Sequence, residues 1–247
     1  MKIYYAGDGY DKLLKKHKIK NILKSYYYVQ RGNTLNTLEK VSLDSGGFSA
    51  WSRGVEIDIN EYCSFIKKNK NKLENYFVLD DINCWKKTLK NQKYMEQQNL
   101  NPIPCYHSFE PLNILEDYCK KYKHIAIGGL VPYARNKKKL KKILDTIFKI
   151  IKKHFPIKVH GFGMTGKDIL ERYPFYSVDS TSWLAGAKTG KIKKFDKKDC
   201  GIYNFILMDK NKEKNYVKRT EFMLQEQLKL EIYITKLWKK RGINWDI

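Results

Sequence analysis

Apolar positions along the chain fall into short runs separated by longer amphipathic stretches. Lys2–Ala6, Ile22–Val29, Val41–Leu43, Tyr76–Leu79, Ile103–Tyr106, His124–Ile127, Lys158–His160 and Tyr176–Val178 read as buried strands. Each is brief, rich in β-branched or aromatic residues, and close to turn-forming residues. Helical spacing governs Ile59–Leu73, Trp85–Asn99, Leu112–Tyr122, Lys137–His154 and a last run over Glu213–Lys240. Pro111 suits the first turn of its helix, where a missing amide hydrogen costs little. Eight strands alternating with helices in 247 residues predict an α/β fold, a single (β/α)8 TIM barrel over residues 1–247. A doubly wound open sheet is the alternative. The gap from Val29 to Val41 is too short for an ordinary helix, so the second βα unit is expected to be irregular. Thr189–Asp199 reads as an exposed lysine-rich insertion after the eighth strand.

Composition supports a folded chain, with 42% hydrophobic and 14% aromatic residues. No apolar stretch approaches the ~20 residues needed to cross a bilayer. The start, Met1 to Asp8, reads as a first strand and lacks the pattern of a signal peptide, so a cytoplasmic setting is expected. Five cysteines without CxxC spacing fit reduced thiols and predict no zinc site. Lysine and arginine number 49 against 26 acidic residues, a net charge of +23. Such an excess favours a polyanionic partner through counterion release, with lysine enrichment from genome composition as the alternative.

Residues that end barrel strands meet around one mouth. Here the strand ends carry Asp44 with Gly46 and Gly47, Asp80-Asp81, Tyr106-His107, Gly128-Gly129, His160-Gly161-Phe162-Gly163 and Asp179-Ser180. Aspartates cap helices and glycines make turns. Their coincidence at six strand ends nevertheless points to one pocket lined by carboxylates, histidines and exposed backbone.

Four of these segments resemble a known family in order and spacing. Leu43-Asp44-Ser45-Gly46-Gly47-Phe48 is similar to the DSGG(Y/F) signature of the tRNA-guanine transglycosylase (queuine tRNA-ribosyltransferase) superfamily. Ala126-Ile127-Gly128-Gly129-Leu130 resembles its AIGGL segment, His160-Gly161-Phe162-Gly163 its methionine-glycine turn, and Ser177–Thr181 its last-strand segment. The resemblance implies a glycosyltransferase that exchanges guanine for a 7-deazaguanine base by two displacements at C1′. It assigns Asp179 as nucleophile and Asp44 as general acid/base. Asp80, Phe48, Gly46, Gly47, His107, Gly128, Gly129, His160 and Gly161 would hold the base, Phe162 sharing the stacking position with His160. Ser25 would support the nucleophile, and Asp81 reads as structural.

The family's CxCxxC zinc run and its arginine-bearing segment after the nucleophile are missing. The resemblance therefore leans to the zinc-free, DNA-directed (DpdA-type) branch of phages and bacterial modification clusters. It implies DNA as substrate, preQ0 or a derivative as the free base, no cofactor or metal, and a host cytoplasm if phage-encoded. Arg53, Arg135, Trp51, Trp183, Lys188 and Lys191 would contact an extruded nucleotide and its neighbours, with the Lys137–Lys142 run on flanking phosphates. Action on tRNA, a hydrolytic glycosylase and a non-catalytic nucleic-acid-binding barrel are the alternatives. A homodimer or an accessory protein is a possible partner, and a membrane is not.

Overall fold

The computed structural model describes residues 1–7, 9–32, 35, 40–189, 194–195 and 212–245. Eight parallel strands run β1 (Lys2–Ala6), β2 (Ile22–Ser25), β3 (Val41–Asp44), β4 (Leu73–Tyr76), β5 (Cys105–His107), β6 (His124–Gly128), β7 (Lys158–Gly161) and β8 (Ser177–Ser180). Their order is β4-β3-β2-β1-β8-β7-β6-β5. Phe77 bridges Ile103 in parallel register, linking the two ends of this order. Two backbone bonds secure the closure, Ile103 N–H to Tyr76 O at 2.9 Å and Val78 N–H to Ile103 O at 3.0 Å. The architecture is the (β/α)8 barrel that the alternation of patterns predicts.

The α-helices among the described residues are α1 (Asp11–Lys16), α2 (Tyr26–Val29), α3 (Gly47–Trp51), α4 (Ile59–Lys68), α5 (Trp85–Gln97), α6 (Leu112–Lys121), α7 (Lys137–Ile151), α8 (Lys167–Arg172), α9 (Ser182–Thr189) and α10 (Lys212–Lys240). The lysine-rich α7 shows how helical spacing works here. Leu140, Leu144, Ile147, Phe148 and Ile151 are buried along one face, and the Asn136 side chain caps the start by accepting from Lys139 N–H at 3.0 Å. The 29-residue α10 contributes Leu224 to one core cluster and Leu230, Ile234 and Trp238 to the other.

Several boundaries differ from the sequence expectation. The run Ile22–Val29 is a strand only to Ser25, where β2 pairs with Asp44 of β3; Tyr26–Val29 then coils into α2. Tyr26 drives that turn, its ring resting 4.9 Å from Tyr62 and 5.1 Å from Phe65. The fourth strand lies earlier than expected, at Leu73–Tyr76, because its register is set by β3. Pro111 stands at the N-cap of α6, one position before its first turn. Most of the insertion at Thr189–Asp199, and part of the irregular second unit, lie outside the described residues. Among the described residues no helix is long and apolar enough to cross a membrane.

Candidate functional site

The segment after β3 is a bracket for two carboxylates. Gly46 adopts a left-handed φ of 78°, and its N–H donates to Asp44 Oδ2 at 3.1 Å. Ser45 Oγ donates to Asp80 Oδ1 at 2.8 Å. A Cβ on Gly47 would sit 2.6 Å from the Asp80 carbonyl oxygen, so glycine is what lets β3 and the extension of β4 approach so closely. Gly47→Ala is therefore expected to cost about 1–3 kcal/mol in a denaturant titration. An unchanged midpoint would show that the Asp80 backbone yields freely.

β8 brings Asp179 to the same mouth. Its Oδ1 accepts from Gly163 N–H at 2.9 Å. His160, fully buried beneath, places Nε2 3.4 Å from that oxygen while Nδ1 lies 2.9 Å from Ser177 Oγ. The imidazole is boxed by the rings of Tyr4, Phe77 and Phe162.

On β5, His107 is clamped between two acids. Nε2 lies 3.1 Å from Asp80 Oδ2 and Nδ1 lies 2.9 Å from Glu110 Oε1, which also accepts the His107 N–H at 3.0 Å. Cys105 Sγ, two residues earlier on the same strand face, is 3.9 Å from Nε2. Burial opposes a charge on His107, but the surrounding Cys105, Asp80 and Glu110 hold its pKa well above the ordinary imidazole range. Burial also pushes the Cys105 thiol up to about 11, with His107 pulling the other way.

These groups open on a cavity of ≈ 680 Å³ at the C-terminal end of the strands. That size suits a small organic ligand. Asp44, Asp80 and Asp179 face it together with His107, Gly128, Gly129 and Ser25. Phe48, Trp51, Phe109, Val131 and Phe162 form its apolar rim and wall; the first four are exposed, and the Phe109 ring stacks on His107 at 5.4 Å. Crowding of acids tunes the site. Burial first, then repulsion from Asp80 and Asp179, raises the Asp44 pKa from 3.8 to about 8.

The remaining expected site residues divide by location. Gly46 and Gly47 shape the bracket and do not line the large cavity. His160 and Gly161 lie behind its wall, where a Cβ on Gly161 would meet the Phe175 ring at 2.7 Å. Asp81 is structural, its Oδ1 accepting from Asn83 and Cys84 N–H at 2.9 and 2.8 Å. Trp51 stands on the rim, and Arg53 extends over the rings of Tyr27 and Tyr28. Trp183 requires a correction: it is fully buried, donating Nε1–H to Ala6 O at 2.9 Å, and presents nothing to a nucleic acid. Arg135 is exposed just before α7, away from the cavity lining. In the lysine run, Lys137 and Lys141 each sit 3.4 Å from Asp168. The Lys188 side chain and Lys191 lie outside the described residues. Sequence reasoning missed Cys105 and Glu110. The signal was available in Cys105-x-His107, since alternate residues of a strand share a face.

No family model matches the chain, and no curated protein matches it. Solved structures do. The tryptophan synthase alpha subunit of Campylobacter jejuni is 12% identical with a TM-score of 0.51, over 90% of this chain and 94% of that one. A mutant tryptophan synthase alpha subunit from the hyperthermophile Pyrococcus furiosus is 10% identical with a TM-score of 0.53, over 92% of this chain and 97% of that one. At such identity the likeness shows the fold: both site and topology define a (β/α)8 barrel with an acidic mouth.

The transglycosylase resemblance is corrected here. The solved structures reported above, which share this barrel at high probability, are tryptophan synthase alpha subunits, and they point away from a transglycosylase. The glycosyltransferase class, exchange of guanine for 7-deazaguanine in DNA or tRNA, and the aspartyl-glycosyl intermediate fall with it. DNA as a partner gains no support from these structures. What remains is the geometry of the mouth itself.

Proposed function

We propose that this chain is an enzyme that transfers a proton to or from a flat, N–H-bearing heterocycle, in a bond-cleaving reaction of the lyase type. Asp44 is the proton carrier, and the observation that carries the reading is the convergence of Asp44, Asp80 and Asp179 on one cavity, where burial and mutual repulsion raise the Asp44 pKa to about 8. A carboxyl group poised near neutrality gives up and regains a proton with little driving force wasted, as general acid–base catalysis requires. Asp179, fixed by Gly163 N–H, is the second catalytic carboxylate and offsets positive charge building on the heterocycle. Asp80, still able to accept through its free lone pairs, takes the ligand's N–H edge, with the backbone of Gly128 and Gly129 alongside. Phe48, Phe109 and Phe162 supply the stacking surface.

The shared barrel with tryptophan synthase alpha subunits supports an enzyme on this architecture, and their designation as subunits supports an accessory protein as partner. The buried free thiols of Cys63, Cys105 and Cys119 support a reducing, cytoplasmic setting. Proton transfer by Asp44 calls on no cofactor.

Calorimetric titration with 2-aminobenzimidazole, a flat cyclic guanidine that carries a positive charge when protonated, tests the reading. Binding is expected to weaken about tenfold or more in Asp80→Asn, the worth of one charge-assisted hydrogen bond. Near pH 8 the net number of protons exchanged on binding should differ between the wild type and Asp44→Asn, because a bound cation favours ionised Asp44, whose proton passes to the ligand or to solvent. Equal affinity for indole, which lacks the amine, or indifference to Asp80→Asn would sink the proposal.

A further inference from the structure

We propose that Asp80, Cys105 and His107 form a three-ligand site for a zinc-class divalent cation whose fourth position opens to the mouth cavity. One carboxylate oxygen of Asp80, Cys105 Sγ and a ring nitrogen of His107 all lie within 4.8 Å of one another. Nε2 is 3.1 Å from Asp80 Oδ2 and 3.9 Å from Sγ. A tetrahedral ion with bonds of ~2.0–2.3 Å spans such separations after small side-chain adjustments. The mixture of imidazole, thiol and carboxylate donors suits zinc and its borderline-soft neighbours, whereas calcium and magnesium prefer oxygen alone.

Two further features shape the site for a cation. Glu110 accepts from His107 Nδ1 at 2.9 Å, which orients the ring and leaves Nε2 directed at the other donors. Carboxylates hold metal-binding histidines in this way. Gly128 lies opposite: a Cβ there would fall 3.0 Å from Cys105 Sγ and 3.3 Å from His107 Nε2. The space over both donors is thus open because residue 128 has no side chain, and Gly128 lines the cavity. Missing CxxC spacing bears on sites built from one stretch of sequence; this cluster is assembled across the extension of β4 and β5.

The balance is simple. The entering M²⁺ displaces one proton from the Cys105 thiol and one from the His107–Asp80 contact, both leaving to solvent. Thiolate and carboxylate then neutralise the ion, and His107 becomes a neutral ligand. Imidazolium and metal ion are alternative cations for one place. Asp44 is not a ligand, so the proton carrier is separate from the cation site, while Asp80 belongs to both.

The test uses the full chain treated with chelator and titrated with Co²⁺, a spectroscopic stand-in for Zn²⁺. A single Co²⁺ per chain is expected, with tetrahedral visible bands and a near-ultraviolet thiolate-to-cobalt band, all displaced by Zn²⁺. Cys105→Ser should abolish the thiolate band, and Cys84→Ser and Cys119→Ser should keep it. Glu110→Gln should weaken binding about 10- to 100-fold. Substoichiometric binding, or a thiolate band that survives Cys105→Ser, would overturn the proposal. Should Cys105→Ser fail to fold, Gly128→Ala decides: with the fold intact by circular dichroism, loss of Co²⁺ supports the site and full retention overturns it.

Discussion

Asp44→Asn is expected to stabilise the protein, and to do so increasingly as pH rises from 4 to 8. The carboxyl is held near 8 in the folded chain against 3.8 for the ordinary group, chiefly by burial and secondarily by Asp80 and Asp179. Between those values the folded state keeps a proton that the unfolded state releases. Wild-type stability is therefore fully present below the unfolded value and declines as pH climbs through the folded one. An asparagine removes the titration while its oxygen still accepts from Gly46 N–H. Each pKa unit corresponds to about 1.4 kcal/mol, but Asp44 borders an open cavity where water screens its neighbours. A gain of about 2 kcal/mol at pH 8–9 is the discounted expectation, a rise of roughly 4–8 °C in Tm for a domain of this size. At pH 4 the two proteins should melt nearly together. Activity should fall by orders of magnitude in the same variant, because the proton carrier is gone. Parallel melting curves across this range, or a less stable asparagine variant, would refute the assigned electrostatics. The combination of higher stability and lost activity is the mark of a group retained at a thermodynamic cost for its chemistry.

Much of this arrangement was legible in the sequence, and the reason is geometric. Alternating patterns reveal strands and helices, and a barrel gathers its strand ends, so the sequence alone assigns Asp44, Asp80, Asp179, His107 and the Gly128–Gly129 pair to one mouth. What sequence did not disclose is direction in depth. His160 follows the same strand-end logic as His107, yet its ring lies under Asp179 among Tyr4, Phe77 and Phe162. The cluster of Asp80, Cys105, His107 and Glu110 was legible only in part: Cys105, His107 and Glu110 share one short stretch of sequence, whereas Asp80 comes from the segment after β4 and meets them only when the barrel closes.

The misleading resemblance has a physical explanation as well. Its strings consist of glycines and aspartates at strand ends, and the barrel itself accounts for several of them. Gly47 is needed against the Asp80 backbone, Gly129 adopts a φ of 68°, and Gly161 makes room for the Phe175 ring. Short glycine-and-carboxylate strings thus report crowding at a barrel mouth and leave the reaction undetermined.

Trp183→Ala is expected to destabilise this chain severely, costing about 3–5 kcal/mol. The indole is fully buried, meets Tyr5 and Tyr10 edge-on at 5.7 and 5.3 Å, and anchors α9 to β1 through Ala6 O. Truncation empties the largest fully buried side chain among the described residues and orphans that carbonyl; Trp183→Phe keeps most of the packing and should cost roughly half as much. Because α9 follows directly from β8, the loss should also loosen Asp179, so ligand affinity in the mouth should drop even at temperatures where the variant stays folded. A wedge residue at a nucleic-acid surface would behave in the opposite manner, leaving the melting temperature intact while weakening polyanion binding. Chemical denaturation of the two variants separates these outcomes. A tryptophan placed just after a strand that ends at the cavity can serve a ligand by touching it or by holding that strand, and burial assigns Trp183 to the second role.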